Sequence, residues 1–332
     1  MSQLLPVLIG ATGLSESDIR LIISNAPSRY KHFTIKKRNG RDRYISQPSR
    51  ELKALQRALI TFKLSGLPVH PTAMAYKNNV SILDNAVAHA GNGSILKYDF
   101  VDFFTSIRSK DWRLYCEKYS VFENTEDLFI SERILFQRDK GSRILKLSIG
   151  APSSPILSNI LMSEFDEIIS QEVASDKVIY TRYADDLTFS APRAGYLNRV
   201  DRVIRRAIKD VPWPRLTINE EKTVLATSKY RRQVTGLVLT NDGTVSIGRD
   251  RKRSVRAALH RAKHDRLTEQ EAAYLCGMLA YISSVEPDFV ARMEKHYGLE
   301  LLQRLKRYAS IRRRPAERSR AKGEDLGIDG SD

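Results

Sequence analysis

The chain has 332 residues, 42% of them hydrophobic, enough for two or three subdomains around an extended core. No apolar run reaches the roughly 18 residues of a membrane span, and the start Met1-Ser2-Gln3-Leu4-Leu5-Pro6 lacks the basic region of a signal peptide. Cys116 and Cys276 make neither a disulfide framework nor a zinc site, so a reduced cytoplasmic setting is expected. Lysine plus arginine number 55 against 39 aspartate plus glutamate, a net charge of +16. Residues 249–322 alone hold 19 basic and 9 acidic residues, a balance that suits a polyanionic partner or a plain solvated face.

Ser15 reads as the N-cap of a helix through about Asn25. Residues 33–45 read as a hairpin, with Asn39-Gly40 at the turn and β-prone residues on both sides. Ser49 caps a helix with Leu52, Leu55, Leu59 and Phe62 on one face, stopping at Gly66. Ser81 and Asp84 open a short helix through His89, and residues 94–100 form a strand in which Asp99 is the last polar position. Residues 109–136 are helical. Pro155 opens one long amphipathic helix with Ile156, Ile160, Leu161, Phe165, Ile168 and Ile169 on its apolar side.

Two β-like runs flank Tyr183-Ala184-Asp185-Asp186; a helix over 197–209 and a strand over 223–226 follow. Residues 234–239 and 244–247 read as a hairpin turned by Asn241-Asp242-Gly243. Three basic helical segments, 250–264, 268–284 and 287–310, make a small bundle, with Tyr274 and Tyr281 assigned to its core. The charged, aperiodic tail from Arg312 reads as disordered. The order of elements before Gly248 is α+β with antiparallel hairpins, not a βαβ series.

Adjacent carboxylates at a strand tip repel each other unless a cation sits between them. Nucleotidyl transfer by two metals needs carboxylates that bridge ions about 3.5–4 Å apart, and Asp185 and Asp186 supply two ligands from one turn. Asp99 ends an apolar strand, where an unpartnered carboxylate is costly, and offers the third. Strand alternation turns Asp102 away from it.

Asp99 with Phe103-Phe104, then Gly150-Ala151-Pro152-Ser153-Ser154-Pro155, then Tyr-Ala-Asp-Asp, then Asn219 with Lys222, then a hairpin at Gly236, together resemble the reverse transcriptases. Asn85-Ala86-Val87-Ala88-His89 and Val234-Thr235-Gly236 resemble elements of the retron type. The resemblance implies an α+β right-hand polymerase. An N-terminal helix and the fingers would span 1–93, with more of the fingers over 117–150, its palm (an antiparallel sheet plus helices) 94–116 and 151–248, and its basic helical thumb 249–311, with a disordered tail over 312–332.

It implies two Mg²⁺ ions, with Mn²⁺ as the alternative, held by Asp99, Asp185, Asp186 and the backbone carbonyl of Phe100. Phe104 would gate the sugar, Gly150 and Ala151 would face the nascent base pair, and Arg43, then Lys36 beside Lys37, would meet the triphosphate. Lys222 would protonate the pyrophosphate. Asn85, His89, Val234, Thr235 and Gly236 would hold the cognate RNA. Arg251, Lys252, Arg253 and Arg256, with Arg304, Lys306 and Arg307, would follow the duplex. Read without the resemblance, Lys222 is a surface lysine, Phe104 a core ring, residues 150–155 a plain loop, and Asn85 with His89 a structural pair sharing one helix face. Ile149 departs from the family, which commonly has Gln there, so that contact to the incoming nucleotide is lost.

The implied activity is DNA synthesis from deoxynucleoside triphosphates on a cognate noncoding RNA. The implied primer is an RNA 2′-hydroxyl and the product branched RNA–DNA (msDNA), in a bacterial antiphage system with an effector or toxin protein and no membrane. A group II intron-like or diversity-generating reverse transcriptase is the competing enzyme. A non-catalytic RNA-binding scaffold predicts loss of the three carboxylates, all of which are present.

Overall fold

The computed structural model describes residues 2–36, 40 and 42–305. Lys37 and Asn39 of the expected hairpin tip, Lys306 and Arg307, the rest of the segment expected to be helical to residue 310, and the tail from Arg312 lie outside the described residues. The chain divides into two compact units, residues 1–232 and 233–332.

The first unit opens on α1 (Leu4–Thr12) and α2 (Glu16–Asn25), the latter capped by Ser15 as its sequence suggests. The sequence reading contains no α1. Its free N–H groups find their acceptor far along the chain: Gln3 and Leu4 donate to the Asp127 carboxylate at 2.9 and 3.2 Å. That cap lets Leu4, Leu5 and Leu8 bury fully, at about 2 kcal/mol each.

The hairpin of β1 (Tyr30–Lys36) and β2 (Asp42–Pro48) is antiparallel, Tyr30 facing Pro48 and Lys36 facing Asp42. α3 (Arg50–Phe62) starts at Ser49, whose hydroxyl accepts from the Leu52 N–H. Leu52, Leu55 and Leu59 are buried as expected, but Phe62 is 59% exposed. The helix ends there, and Leu64 takes the core position instead.

α4 (Ile82–Ala90) carries the Ser81–Asp84 capping box. Next come β3 (Ser94–Asp99), α5 (Phe103–Ser106), α6 (Ser109–Lys118) and α7 (Thr125–Leu135). The helical stretch expected over 109–136 is thus two helices, because Asn124 accepts from the Asp127 N–H and starts a new one. A small ladder, β4 (Gln137–Arg138) with β5 (Leu145–Lys146), precedes α8 (Ser154–Leu161) and α9 (Ser163–Ala174). The single helix expected after Pro155 is interrupted at Met162, and Ile156 and Ile168 stay only half-buried.

β6 (Ile179–Tyr183), β7 (Asp186–Ala191), α10 (Val200–Asp210) and β8 (Val224–Thr227) complete the unit. Its sheet has the order β6-β7-β3-β8, every pair antiparallel. Leu96, Tyr98, Leu187 and Phe189 lie on one face and join the apolar core with Phe165, Ile169 and Ile204. Alternation sends Thr181, Thr188 and Ser190 to the other face, where α4 packs on β6 and β7. This second face is buried yet polar.

In the second unit, β9 (Arg232–Val234), β10 (Leu237–Leu239) and β11 (Val245–Ser246) form a sheet of order β11-β10-β9. Val234 therefore belongs to a strand of its own and not to the hairpin arm expected over 234–239. Positive φ at Thr235 (47°) and Gly236 (80°) turns the chain between β9 and β10. α11 (Arg249–Lys263), α12 (Glu269–Val285) and α13 (Pro287–Tyr297) follow, and residues 299–305 are helical beyond Gly298, whose φ is 90°. Tyr274 is 71% exposed, against its expected core place. α12 buries Ala272, Leu275, Cys276, Leu279 and Ile282 at helical spacing, and Tyr274 falls on the opposite side. Tyr281 is half-buried under the Arg251 guanidinium, 5.9 Å from its ring centre.

Candidate active site

The register of β3 on β7 sets Asp99 directly opposite Asp186. β6 and β7 close through the two residues between Tyr183 and Asp186, so Asp185 sits in the turn at the same sheet end. Ala184 holds φ of +58°, a left-handed conformation that costs a non-glycine residue about 1 kcal/mol. The carbonyl of Ala184 is held by Arg182 Nη1 at 3.1 Å. Arg182 is itself fully buried, its guanidinium bonded to the Asp166 carboxylate at 2.6 to 3.1 Å, while Tyr180 donates to Asp166 at 2.7 Å.

Burial raises the Asp186 carboxyl to about 6; Lys97 opposes the rise, and Asp185 and Asp99 add to it. The Asp185 carboxyl is raised by burial and then by Asp99, with Lys222 and Arg43 pulling the other way. Lys222 Nζ lies 2.7 Å from Asp99 Oδ1. Burial alone would lower the Lys222 ammonium, but Asp99, Asp185 and Asp186 outweigh it and hold it up. Lys222 is thus part of the carboxylate cluster and not a free surface lysine. Among the described residues no three His, Cys, Asp or Glu side chains converge as a ready cage for an ion. The donor set is nonetheless all carboxylate, with a cation already drawn to it, which is the chemistry that suits a hard divalent ion.

Asp99 C=O and Val101 N–H bond to the segment at 217–219, and Phe100 sits between those bonds opposite Ile218. In an antiparallel ladder this aims the Phe100 carbonyl to the other side, toward the strand that carries Asp186. Phe103 is buried and stacks on Phe100 at 5.9 Å, whereas Phe104 is half-exposed. Its ring lines a cleft of about 320 Å³ with Tyr76, Ile149, Gly150 and Ala151. Lys53 and Arg57 of α3 also line this cleft. Neither they nor Tyr76 stood out in the sequence, since Tyr76 lies in an aperiodic loop and the two cations are surface positions of an ordinary amphipathic helix.

Gly150 has φ of +127°, and a Cβ there would sit 3.1 Å from both Ile45 Cγ2 and the Ser46 carbonyl. A close approach that requires glycine is thus made to β2, where Ser46 N–H bonds Ile149 C=O at 2.9 Å. Arg43 is exposed on β2, with its charge felt at Asp185. Lys36 is paired with Asp42 at 2.6 Å.

Asn85 and His89 are fully enclosed between α4 and the polar face of the sheet. Thr181 Oγ1 donates to Asn85 Oδ1 at 2.6 Å, so His89 Nε2 donates to Thr181 Oγ1 at 2.7 Å and Nδ1 accepts from Ser190 at 2.7 Å. Burial pushes the imidazole down from 6.5 to about 4, leaving it neutral. The expected direct contact of these two side chains with RNA is corrected: both are closed off from solvent. Val234 is likewise buried, whereas Thr235 and Gly236 sit in a turn whose Gly236 carbonyl accepts from Arg251 at 2.8 Å. Arg253 and Arg256 are exposed on α11, Arg256 lying over the Phe289 ring at 5.5 Å. Lys252 is tied to Glu286 at 2.5 Å and Arg304 to Asp265 at 2.9 Å.

Carboxylates at the end of such a sheet, in an α+β chain that also carries a basic helical unit, define a template-directed polymerase. The family model described as reverse transcriptase (RNA-dependent DNA polymerase) matches residues 35–269. The chain belongs to the retron reverse transcriptases, which are RNA-directed DNA polymerases. It is 35% identical to the retron Ec83 reverse transcriptase of Escherichia coli over 292 residues, covering 87% of this chain and 93% of that one. It is 33% identical to the retron Ec86 reverse transcriptase of Escherichia coli over 305 residues, covering 89% and 91%. With the retron Mx65 reverse transcriptase of Myxococcus xanthus the identity is 31% over 301 residues, covering 86% and 69%. No helix among the described residues is long and apolar enough to cross a membrane.

Proposed function

We propose that the chain copies a cognate noncoding RNA into DNA at Asp99, Asp185 and Asp186. The observation that carries this reading is the pairing of Asp99 with Asp186 beside the Asp185 turn. These carboxylates, with the Phe100 carbonyl, would hold two Mg²⁺ ions, or Mn²⁺ in their place. Such ions, when bound, supply Lewis acidity toward the attacking hydroxyl and the leaving pyrophosphate.

The side chains around them have separable tasks. Lys222, held protonated by the carboxylates, is the proton donor for the departing pyrophosphate. Arg43, with Lys36 on the same hairpin, meets the triphosphate. Phe104 stands against the sugar and disfavours a 2′-hydroxyl, and Ala151 with Gly150 forms the floor of that cleft. Arg253 and Arg256 hold phosphates of the duplex, and Arg251 steadies the Thr235–Gly236 turn. Asn85 and His89 serve by fixing α4 to the sheet.

Priming from an RNA 2′-hydroxyl, a branched RNA–DNA product and a place in antiphage defence beside an effector protein complete the reading, on family likeness. Sequencing the nucleic acid that copurifies with the protein tests it. The expected result is a short structured RNA with DNA attached. Intron RNA would overturn it in favour of a group II intron-like enzyme, and RNA without any DNA would favour a scaffold.

A further inference from the structure

Tyr76 is 51% exposed, yet it holds φ of +62°, a backbone conformation disfavoured for a residue with a ring. Its ring lies 6.4 Å from that of Phe104, inclined at 56°, on the wall of the same cleft. Phe104 has Phe103 on another side at 5.3 Å.

The loop that presents Tyr76 is tied down from beneath. Asn159 Nδ2 donates to the Ala75 carbonyl at 2.8 Å, and Asn159 Oδ1 accepts from Arg182 Nη1 at 3.0 Å. The same Arg182 nitrogen donates to the Ala184 carbonyl in the catalytic turn. Backbone bonds add to the tie: Arg182 N–H to Thr72 C=O and Met74 N–H to Arg182 C=O, both at 2.8 Å. One buried guanidinium therefore fixes both the turn that carries Asp185 and the loop that carries Tyr76.

We propose that Tyr76 is a second determinant of sugar selectivity: its ring backs Phe104, and the Asn159–Arg182 network fixes that ring relative to the catalytic turn. A steric gate excludes a 2′-hydroxyl only as strongly as its ring resists being pushed aside. Phe104 is enclosed on the Phe103 side, and Tyr76 supplies the resistance on the cleft side. Tyr76 is thus a positioning residue acting through Phe104, and its role rests on the reading of Phe104 as the gate.

The test uses the full chain on an RNA template with a DNA primer. The kcat/KM ratio for a deoxynucleotide against its ribonucleotide is measured in wild type, Tyr76→Ala, Tyr76→Phe, Asn159→Ala and Phe104→Ala. A smaller folded fraction scales both substrates equally and leaves the ratio unmoved, so the ratio separates positioning from stability. Tyr76→Ala and Asn159→Ala should each lower the ratio about tenfold, the scale of a changed packing contact at a discriminating site, while Tyr76→Phe keeps it. A wild-type ratio in Tyr76→Ala, with Phe104→Ala relaxed, overturns this proposal alone. A wild-type ratio in Phe104→Ala overturns the gate itself and this proposal with it. A fall in Tyr76→Phe overturns the ring-backing role in favour of the hydroxyl, and an unmoved Asn159→Ala overturns the part assigned to the network.

Discussion

Replacing His89 with glutamine isolates the polar chain buried beneath the sheet. The imidazole falls from 6.5 to about 4 on folding. Between those values the unfolded chain binds a proton that the folded chain refuses, so stability rises with pH across that window. The contribution is whole above the unfolded value and is lost as pH falls toward the folded one. Integrated from pH 7 down to pH 5, the loss for this one group is about 2 kcal/mol. Urea unfolding followed by circular dichroism at the two pH values reads it directly. His89→Gln lacks the proton step, so wild type should lose about 2 kcal/mol more than the variant over the same interval. Equal losses would refute an enclosed, neutral His89. RNA affinity at pH 7 should be the same in both, because the ring bonds Thr181 and Ser190 and not solvent.

Asp185→Asn should abolish primer extension while leaving RNA binding intact in a filter assay; retained synthesis would remove Asp185 from the metal site. Arg182→Met strands the buried Asp166 carboxylate and should cost about 3–5 kcal/mol in thermal unfolding, with Asp166→Leu added to it recovering most of the loss. A cost under about 1 kcal/mol would mean that water reaches the pair. Arg253→Gln with Arg256→Gln should lower the slope of log affinity against log salt by about 2 for duplex, and an unchanged slope would take both off the phosphates.

The clustering of Asp99, Asp185 and Asp186 at one sheet end was legible because its signals are local. Period-two alternation placed Asp99 at a strand end, and β-runs on both sides of a two-residue turn placed Asp185 and Asp186. Ser15, Ser49 and the Ser81–Asp84 box announced their helices for the same reason: cap and helix are neighbours in sequence. What was not legible depended on distant partners. Asn85 and His89 could be put on one helix face, but only the packing of α4 on Thr181 and Ser190 shows that this face is closed. Tyr274 was misplaced because α12 offers apolar residues nearly all round, so spacing alone did not choose its buried side. Gly150 was expected to face a base pair, and its close approach to β2, more than a hundred residues back, could not be read from the sequence.

The Asp127 cap on α1 also sets a timetable for the growing chain. α1 leaves the ribosome ahead of its cap, and the carboxylate that accepts from Leu4 lies 123 residues later. At about 5–20 residues per second, the helix waits roughly 6–25 seconds of synthesis for its cap. Through that interval Leu4, Leu5 and Leu8 have no finished helix to present and no α3 core to close on until Leu52, Leu55 and Leu59 are made. α1 can thus be locked only once Asp127 is made, and until then it is an exposed apolar stretch for chaperones to hold, while β6, β7 and β8 of the sheet are still to be synthesised.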